Sequence, residues 1–171
     1  FALGVPVGLG SHVQWDRRID GLIAQAMMST HTVKSVEVGI GEKVAEILGS
    51  KVHDQIYRDE GNEPLHYSRP TNNLGGTEGG MTNGMPITCR VGVKPIPTLI
   101  SKLDSIDLAT KANAESHFER SDICVVPAAG VVLEAMMAIV LAKAFLEKFG
   151  GDSIEETTRN YQGYIGQIAQ R

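Results

Sequence analysis

Apolar positions recur with two periods along this chain, and the alternation between those periods divides it into helices and strands. From Asp16, a residue suited to open a helix, Ile19, Leu22, Ile23, Ala26 and Met27 follow the i, i+3, i+4, i+7, i+8 spacing of one helical face. Arg17, Arg18 and Asp20 point elsewhere. Val33 to Gly39 alternates as a short strand, with Val36 and Val38 on one face. A second, shorter helix is expected from Gly41 to Leu48, closed by Gly49. Lys51 to Pro70 is polar and reads as one long loop. Pro86 to Lys94 returns to a two-residue period through Ile87, Cys89, Val91 and Val93, as in a half-buried strand.

The pattern is coarser in the second half. A polar connection carries Asp104, Asp107, Thr110 and Lys111. His117 to Val126 is a second extended candidate, although Glu115 to Arg120 also suits a helix. The clearest helix runs from about Pro127 to Phe149, with proline in its first turn and Gly150-Gly151 as its stop. Between Ala128 and Leu146 only Glu134 and Lys143 are charged, so the helix is expected to be buried all round, centrally or against another copy of the chain. It approaches membrane-spanning length, but its two charges favour a buried helix. Asp152 is expected to cap a last amphipathic helix, with Glu155 at the capping-box position and Ile154, Thr158, Tyr161, Ile165 and Ile168 on one face. The class is α+β, or layered α/β, with antiparallel strands packed on a long buried helix and residues 1–171 forming one domain.

Composition narrows the function classes. A net charge of −4 and no basic stripe argue against a general nucleic-acid binder. At 171 residues the chain can bury roughly two-thirds of its unfolded surface. Two cysteines, Cys89 and Cys124, are too few for a disulfide framework and read as reduced, buried thiols. Met27, Met28, Met136 and Met137 read as core fillers. Phe1 is not an initiator methionine, so the chain is expected to begin inside a longer one.

Five glycines lie between Gly75 and Gly84, in Gly75-Gly76-Thr77-Glu78-Gly79-Gly80-Met81-Thr82-Asn83-Gly84. Glycine loses the most backbone entropy on ordering, so a core-building segment is not expected to use five. A ligand lying flat against main-chain N–H groups would require them; a flexible loop is the alternative. Lys94-Pro95-Ile96-Pro97-Thr98 joins a cation, a rigid extended backbone and a hydroxyl, which suits an anion or flavin-edge site or else a rigid exit from a sheet edge. In Arg120-Ser121-Asp122 an extended backbone puts Arg120 and Asp122 on one side, as an anion-binding proton relay or a surface ion pair. His53-Asp54 reads as part of a solvated loop. Glu134, if buried, needs an ionic partner. No metal site is expected, because His12, His31, His66 and His117 lack ligand spacing.

In order and spacing, these segments resemble chorismate synthase of the bacterial, monofunctional type, over nearly the whole chain. The resemblance is carried by Gly4-Val5-Pro6-Val7-Gly8-Leu9-Gly10, Trp15-Asp16-Arg17-Arg18, Val33 to Gly39, the glycine cluster through Asn83-Gly84, Lys94 to Thr98, Arg120-Ser121-Asp122, Val125 to Ala129 and Phe149 to Ser153. It implies a β-α-β sandwich of which this chain holds about half. It also implies removal of phosphate and a proton from 5-enolpyruvylshikimate 3-phosphate by 1,4-anti elimination, giving chorismate. Reduced FMN is required and is thought to lend an electron transiently as phosphate departs. The implied flavin contacts are Gly79, Lys94, Pro95, Ile96, Pro97, Thr98, Arg120 and the pair His31-Thr32, where the family usually has a small or amide-type pair. Asp122 is the implied proton relay. NADP, a cytoplasmic homotetramer and no nucleic-acid or membrane partner complete the expectation. The family's N-terminal half, with two catalytic histidines, substrate arginines and an Arg-Ser-Ser flavin contact, has no counterpart here, so this chain alone is expected to be inactive or nearly so.

Overall fold

The computed structural model describes residues 1–119 and 124–170. The first helix, α1 (Ile19–Met28), starts two residues later than Asp16 would set it; Asp16 lies in a preceding single turn, Trp15–Arg17. The Ser11 hydroxyl accepts the Val13 and Gln14 N–H groups and fixes that entry. Ile19, Ile23 and Met27 are buried, the face anticipated from their spacing. The chain turns at Thr30 and enters β1 (Val33–Val38).

The stretch expected as a second helix divides in two. Gly41–Glu46 forms a tight 3-10 turn, and a short helix, α2 (Gly49–Val52), begins at the glycine expected to end it. The polar stretch after it is not one loop, because β2 (Tyr57–Arg58) and β3 (Tyr67–Ser68) pair within it. The glycine cluster forms a hairpin, β4 (Thr77–Glu78) with β5 (Met81–Thr82), turned at Gly79 and Gly80 with φ of 59° and 84°. Two successive left-handed residues suit the right-handed twist of a two-residue hairpin, which glycine alone adopts freely.

Strand β6 (Cys89–Val93) runs antiparallel to β1, with Val36 opposite Val91 and Val38 opposite Cys89. Just before it, Ile87 exchanges two backbone hydrogen bonds of 2.9 Å with Ala2. The polar connection forms an exposed hairpin of β7 (Asp104–Ile106) and β8 (Asn113–Glu115). Of the stretch from His117 to Val126 expected as extended, residues 117–119 and 124–125 carry no regular structure, Val126 begins the next helix, and residues 120–123 lie outside the described residues.

Helix α3 (Val126–Phe149) has Pro127 in its first turn and ends where Gly150 and Gly151 take φ of 56° and 104°. Its last carbonyls are met from the next helix, α4 (Ile154–Ile168): Asn160 Nδ2 donates to Phe149 O (2.8 Å) and Thr157 Oγ1 to Gly150 O (2.6 Å). Ser153, not Asp152, is the N-cap of α4, its hydroxyl accepting the Glu156 N–H. Glu156 in turn accepts the Asp152 N–H, so the capping pair lies one residue beyond its expected place. The buried face of α4 shifts with it. Thr157 is buried, and Tyr161 and Tyr164 meet Phe145 and Phe149 in an aromatic cluster, while Ile154 and Thr158 are exposed.

The core lies where α1 is held between the β1–β6 pair and α3: Leu9, Ile19, Ile23, Met27, Ile87, Met137, Ala144 and Phe149. The expectation that α3 is buried all round does not hold. Only Ala129, Met137, Ala144 and Phe149 are buried, and Val131 is 69% exposed. Apolarity on every side of a helix requires partners on every side, and among the described residues α1, α4 and residues 1–9 supply them on one side only. Glu134 is exposed and needs no buried partner. Met28 and Cys124 are exposed as well, against expectation.

Candidate functional site: the glycine hairpin and its buried polar support

The glycines of the cluster serve close packing more than openness. A Cβ on Gly75 would lie 2.3 Å from Gly39 N, one on Gly76 2.6 Å from Pro86 O, one on Gly80 2.5 Å from Ser11 O and one on Gly84 2.8 Å from a Leu65 methyl. The chain's own backbone, not a ligand, therefore excludes side chains at most of these positions, and three of the five glycines are buried. Gly79 differs. It sits exposed at the hairpin turn, and a Cβ there would meet nothing within 4 Å.

Beneath the hairpin lies a polar cluster that local sequence did not reveal. Asp54, read as part of a solvated loop, is 6% exposed. One carboxylate oxygen accepts the Thr71 hydroxyl (2.7 Å) and the Asn73 N–H (2.8 Å), and the other accepts the Leu74 N–H (3.0 Å). Burial alone would raise the Asp54 pKa, but these donors and nearby Arg69 together hold it below the ordinary carboxylate value. Arg69, its side chain also only 6% exposed, donates to the Asp54 carbonyl (3.1 Å) and pairs with Glu78 of β4 (2.7 Å). Glu78 also accepts from Asn83 Nδ2 (2.9 Å). The one local signal was Thr71-Asn72-Asn73, a turn-prone run rich in donors that needs an acceptor.

The residues named as flavin contacts fall into two described groups. Thr32 takes φ of 74°, and its carbonyl accepts the Lys94 N–H (2.8 Å), so His31-Thr32 and the start of Lys94–Thr98 meet at one end of the β1–β6 ladder. Lys94, Pro95 and Pro97 are exposed there, and Ile96 and Thr98 half-buried. Gly79 is at the other end. Its neighbour Gly80 accepts the Ile19 N–H at the start of α1, whereas His31 follows the end of that helix. Ten residues of helix, about 15 Å, lie between the two groups. Arg120 and Asp122 lie outside the described residues.

The sequence profile of the family described as "Chorismate synthase" matches residues 1–146. This chain belongs to the chorismate synthase family. It is 58% identical over 168 residues to the chorismate synthase of Aquifex aeolicus (strain VF5), a span of 98% of this chain and 42% of that protein. It is 56% identical to that of Solibacter usitatus (strain Ellin6076), with the same two coverages. A crystal structure of chorismate synthase superposes with a TM-score of 0.80 at 50% identity, covering 99% of this chain and 42% of that one. The chain thus spans less than half the length of these relatives and shares their α+β fold over that part.

Proposed function

We propose that residues 1–171 act as one domain contributing part of the flavin and substrate site of a chorismate synthase, a lyase of aromatic amino-acid biosynthesis in the shikimate pathway. The supporting observation is the 58% identity to a chorismate synthase across 98% of the chain, joined to a hairpin whose turn leaves Gly79 open to an approaching flat group. On this reading the substrate is 5-enolpyruvylshikimate 3-phosphate. It loses phosphate and one proton by 1,4-anti elimination to give chorismate. Reduced FMN, when bound, supplies transient electron density as phosphate departs.

This chain's residues have separate roles. Gly79 lets the flavin approach the hairpin backbone, and Lys94 with Pro95 to Thr98 and His31-Thr32 forms a second wall. Arg120 holds the flavin and substrate anions, and Asp122 relays the proton. The two described groups, about 15 Å apart along α1, belong to one site only in a larger assembly. The family's homotetramer is the form proposed here, in the cytoplasm, with NADP as the associated nucleotide and neither nucleic acid nor membrane as partner. Catalysis requires its acid–base groups and substrate clamps in one pocket, so this chain alone is expected to turn over little or not at all.

An anaerobic assay with photoreduced FMN and 5-enolpyruvylshikimate 3-phosphate tests the reading, following chorismate absorbance and flavin signal together. A flavin response without product supports a partial cofactor site. Chorismate formation by this chain alone would refute its dependence on the remaining family fold. Silence in both channels from folded protein favours a second reading, a non-catalytic oligomerising scaffold, to which the uncovered face of α3 also points.

A further inference from the structure

Asp54 reaches the glycine hairpin by two routes. Its carboxylate fixes residues 71–74 immediately before the hairpin, through Thr71 Oγ1, Asn73 N and Leu74 N. Its carbonyl accepts Arg69, whose guanidinium grips Glu78 inside the hairpin, one residue from Gly79. Asn73 ties the same joint to the end of α2, donating through Nδ2 to the carbonyls of Lys51 and Val52 (both 3.1 Å), and its own carbonyl accepts the Ile40 N–H (2.8 Å). Leu74 leads directly into the Gly75 crossing over Gly39. The approach to the hairpin and its first strand are therefore both referred to one buried residue.

We propose that Asp54 is a positioning residue for the Gly79 hairpin, setting through Leu74 and through Arg69–Glu78 where the turn stands. A carboxylate suits this role because it offers two acceptor oxygens and no donor. An amide of the same shape would turn an N–H2 group toward one set of N–H or O–H donors and lose at least one arm. The role toward FMN rests on the reading of Gly79 as a flavin contact; the role toward the hairpin does not.

The test uses Asp54→Asn in this chain, with two readouts. In amide hydrogen exchange, the expected result is about tenfold or faster exchange at Leu74 and through residues 77–83, with the Val36–Val91 ladder unchanged. In FMN titration, the expected result is affinity lowered about tenfold and an altered absorption band of the bound flavin. Faster exchange confined to residues 73 and 74 would overturn the proposal, since Asp54 would then serve only its own turn. A wild-type flavin spectrum and affinity in a variant whose hairpin exchanges faster would overturn the role toward FMN and leave the role toward the hairpin standing. If wild-type protein binds no FMN, the flavin reading of Gly79 fails, and the exchange pattern alone decides for or against positioning. Should Asp54→Asn not fold, Thr71→Val and Glu78→Gln, each removing a single arm, are read by the same criteria.

Discussion

Gly39 and Gly75 cross backbone to backbone: a Cβ on Gly75 would lie 2.3 Å from the Gly39 nitrogen, and one on Gly39 2.0 Å from the Asn73 carbonyl oxygen. Both residues have positive φ, 62° and 71°. Alanine at either position therefore meets two penalties, a left-handed backbone and a clash with main-chain atoms that cannot rotate away. Strain of about 1–3 kcal/mol and overpacking of about 1–3 kcal/mol are each a large share of a domain's stability. Gly75→Ala and Gly39→Ala are expected to lower the unfolding free energy by about 3 kcal/mol or more, read from urea denaturation. A loss below 1 kcal/mol would mean the crossing is looser than described.

Gly79 gives the opposite result. Its φ of 59° costs alanine about 1–2 kcal/mol, but no neighbour lies within 4 Å of the added methyl. Gly79→Ala is expected to keep the fold, with a smaller drop in melting temperature than Gly75→Ala, and to weaken FMN binding. Unchanged flavin affinity in Gly79→Ala would remove Gly79 from the proposed site.

The longer elements could be read from periodicity, because Ile19, Ile23 and Met27 or Val36 and Val38 announce their faces locally, whereas the short hairpins of β2–β3, β4–β5 and β7–β8 have no such signal. What escaped depended on partners distant in sequence. Asp54 is paired with Thr71, Asn73 and Leu74, some twenty residues away, and nothing beside it in the chain signals burial. The glycine cluster was visible as a special segment, but periodicity could not tell a ligand from the chain's own backbone as the close neighbour. Ser153 and Asp152 are both good caps, and only the Glu156 contacts decide between them. The breadth of apolar surface on α3 was legible; how much of it this chain covers was not. The candidate site was legible as segments, while its division between the two ends of α1 depends on tertiary structure.

Thr82 joins the hairpin to the N-terminal segment. Its buried hydroxyl donates to Pro6 O (2.6 Å) and accepts the Leu9 N–H (2.9 Å). Thr82→Val keeps the shape but leaves a buried N–H and a carbonyl without that partner, at about 1–3 kcal/mol for each unmet group. The expected loss is about 2 kcal/mol in chemical denaturation. Thr82→Ser, which keeps the hydroxyl, should recover most of it.

Acid should loosen the same region. The Asp54 pKa is held low in the folded chain: burial opposes this, but Thr71, Leu74, Asn73 and Arg69 outweigh it. The unfolded chain, with an ordinary carboxylate near 3.9, then binds more protons than the folded one in that range. Stability from Asp54 is therefore fully present above the ordinary carboxylate pKa and is lost as pH falls through the lower folded value. Asp20, lowered chiefly by its hydrogen bond to Arg18, acts in the same direction. Melting temperature is expected to hold above about pH 5 and to fall below about pH 4, with a shallower fall in Asp54→Asn than in wild type. Parallel acid profiles would show that Asp54 does not contribute.

Along α3 the exposed positions Ala128, Val132, Ala135, Ile139, Ala142 and Leu146 succeed one another at alternating spacings of four and three. That is the 3.5-residue repeat of a helix–helix seam, with alanines permitting close approach at one position and larger side chains filling the other. A contiguous apolar stripe of this length in water favours association. The chain is expected to self-associate with rising concentration in sedimentation velocity. Val132→Lys and Ile139→Lys, seven residues apart on the stripe, should each shift it toward monomer while changing folding stability by no more than about 0.5 kcal/mol, because neither side chain is buried within the chain. If either lysine instead unfolds the protein, the stripe is part of this chain's own core. If wild type remains monomeric at every concentration, the exposed face does not drive association by itself, and the scaffold reading loses its main support.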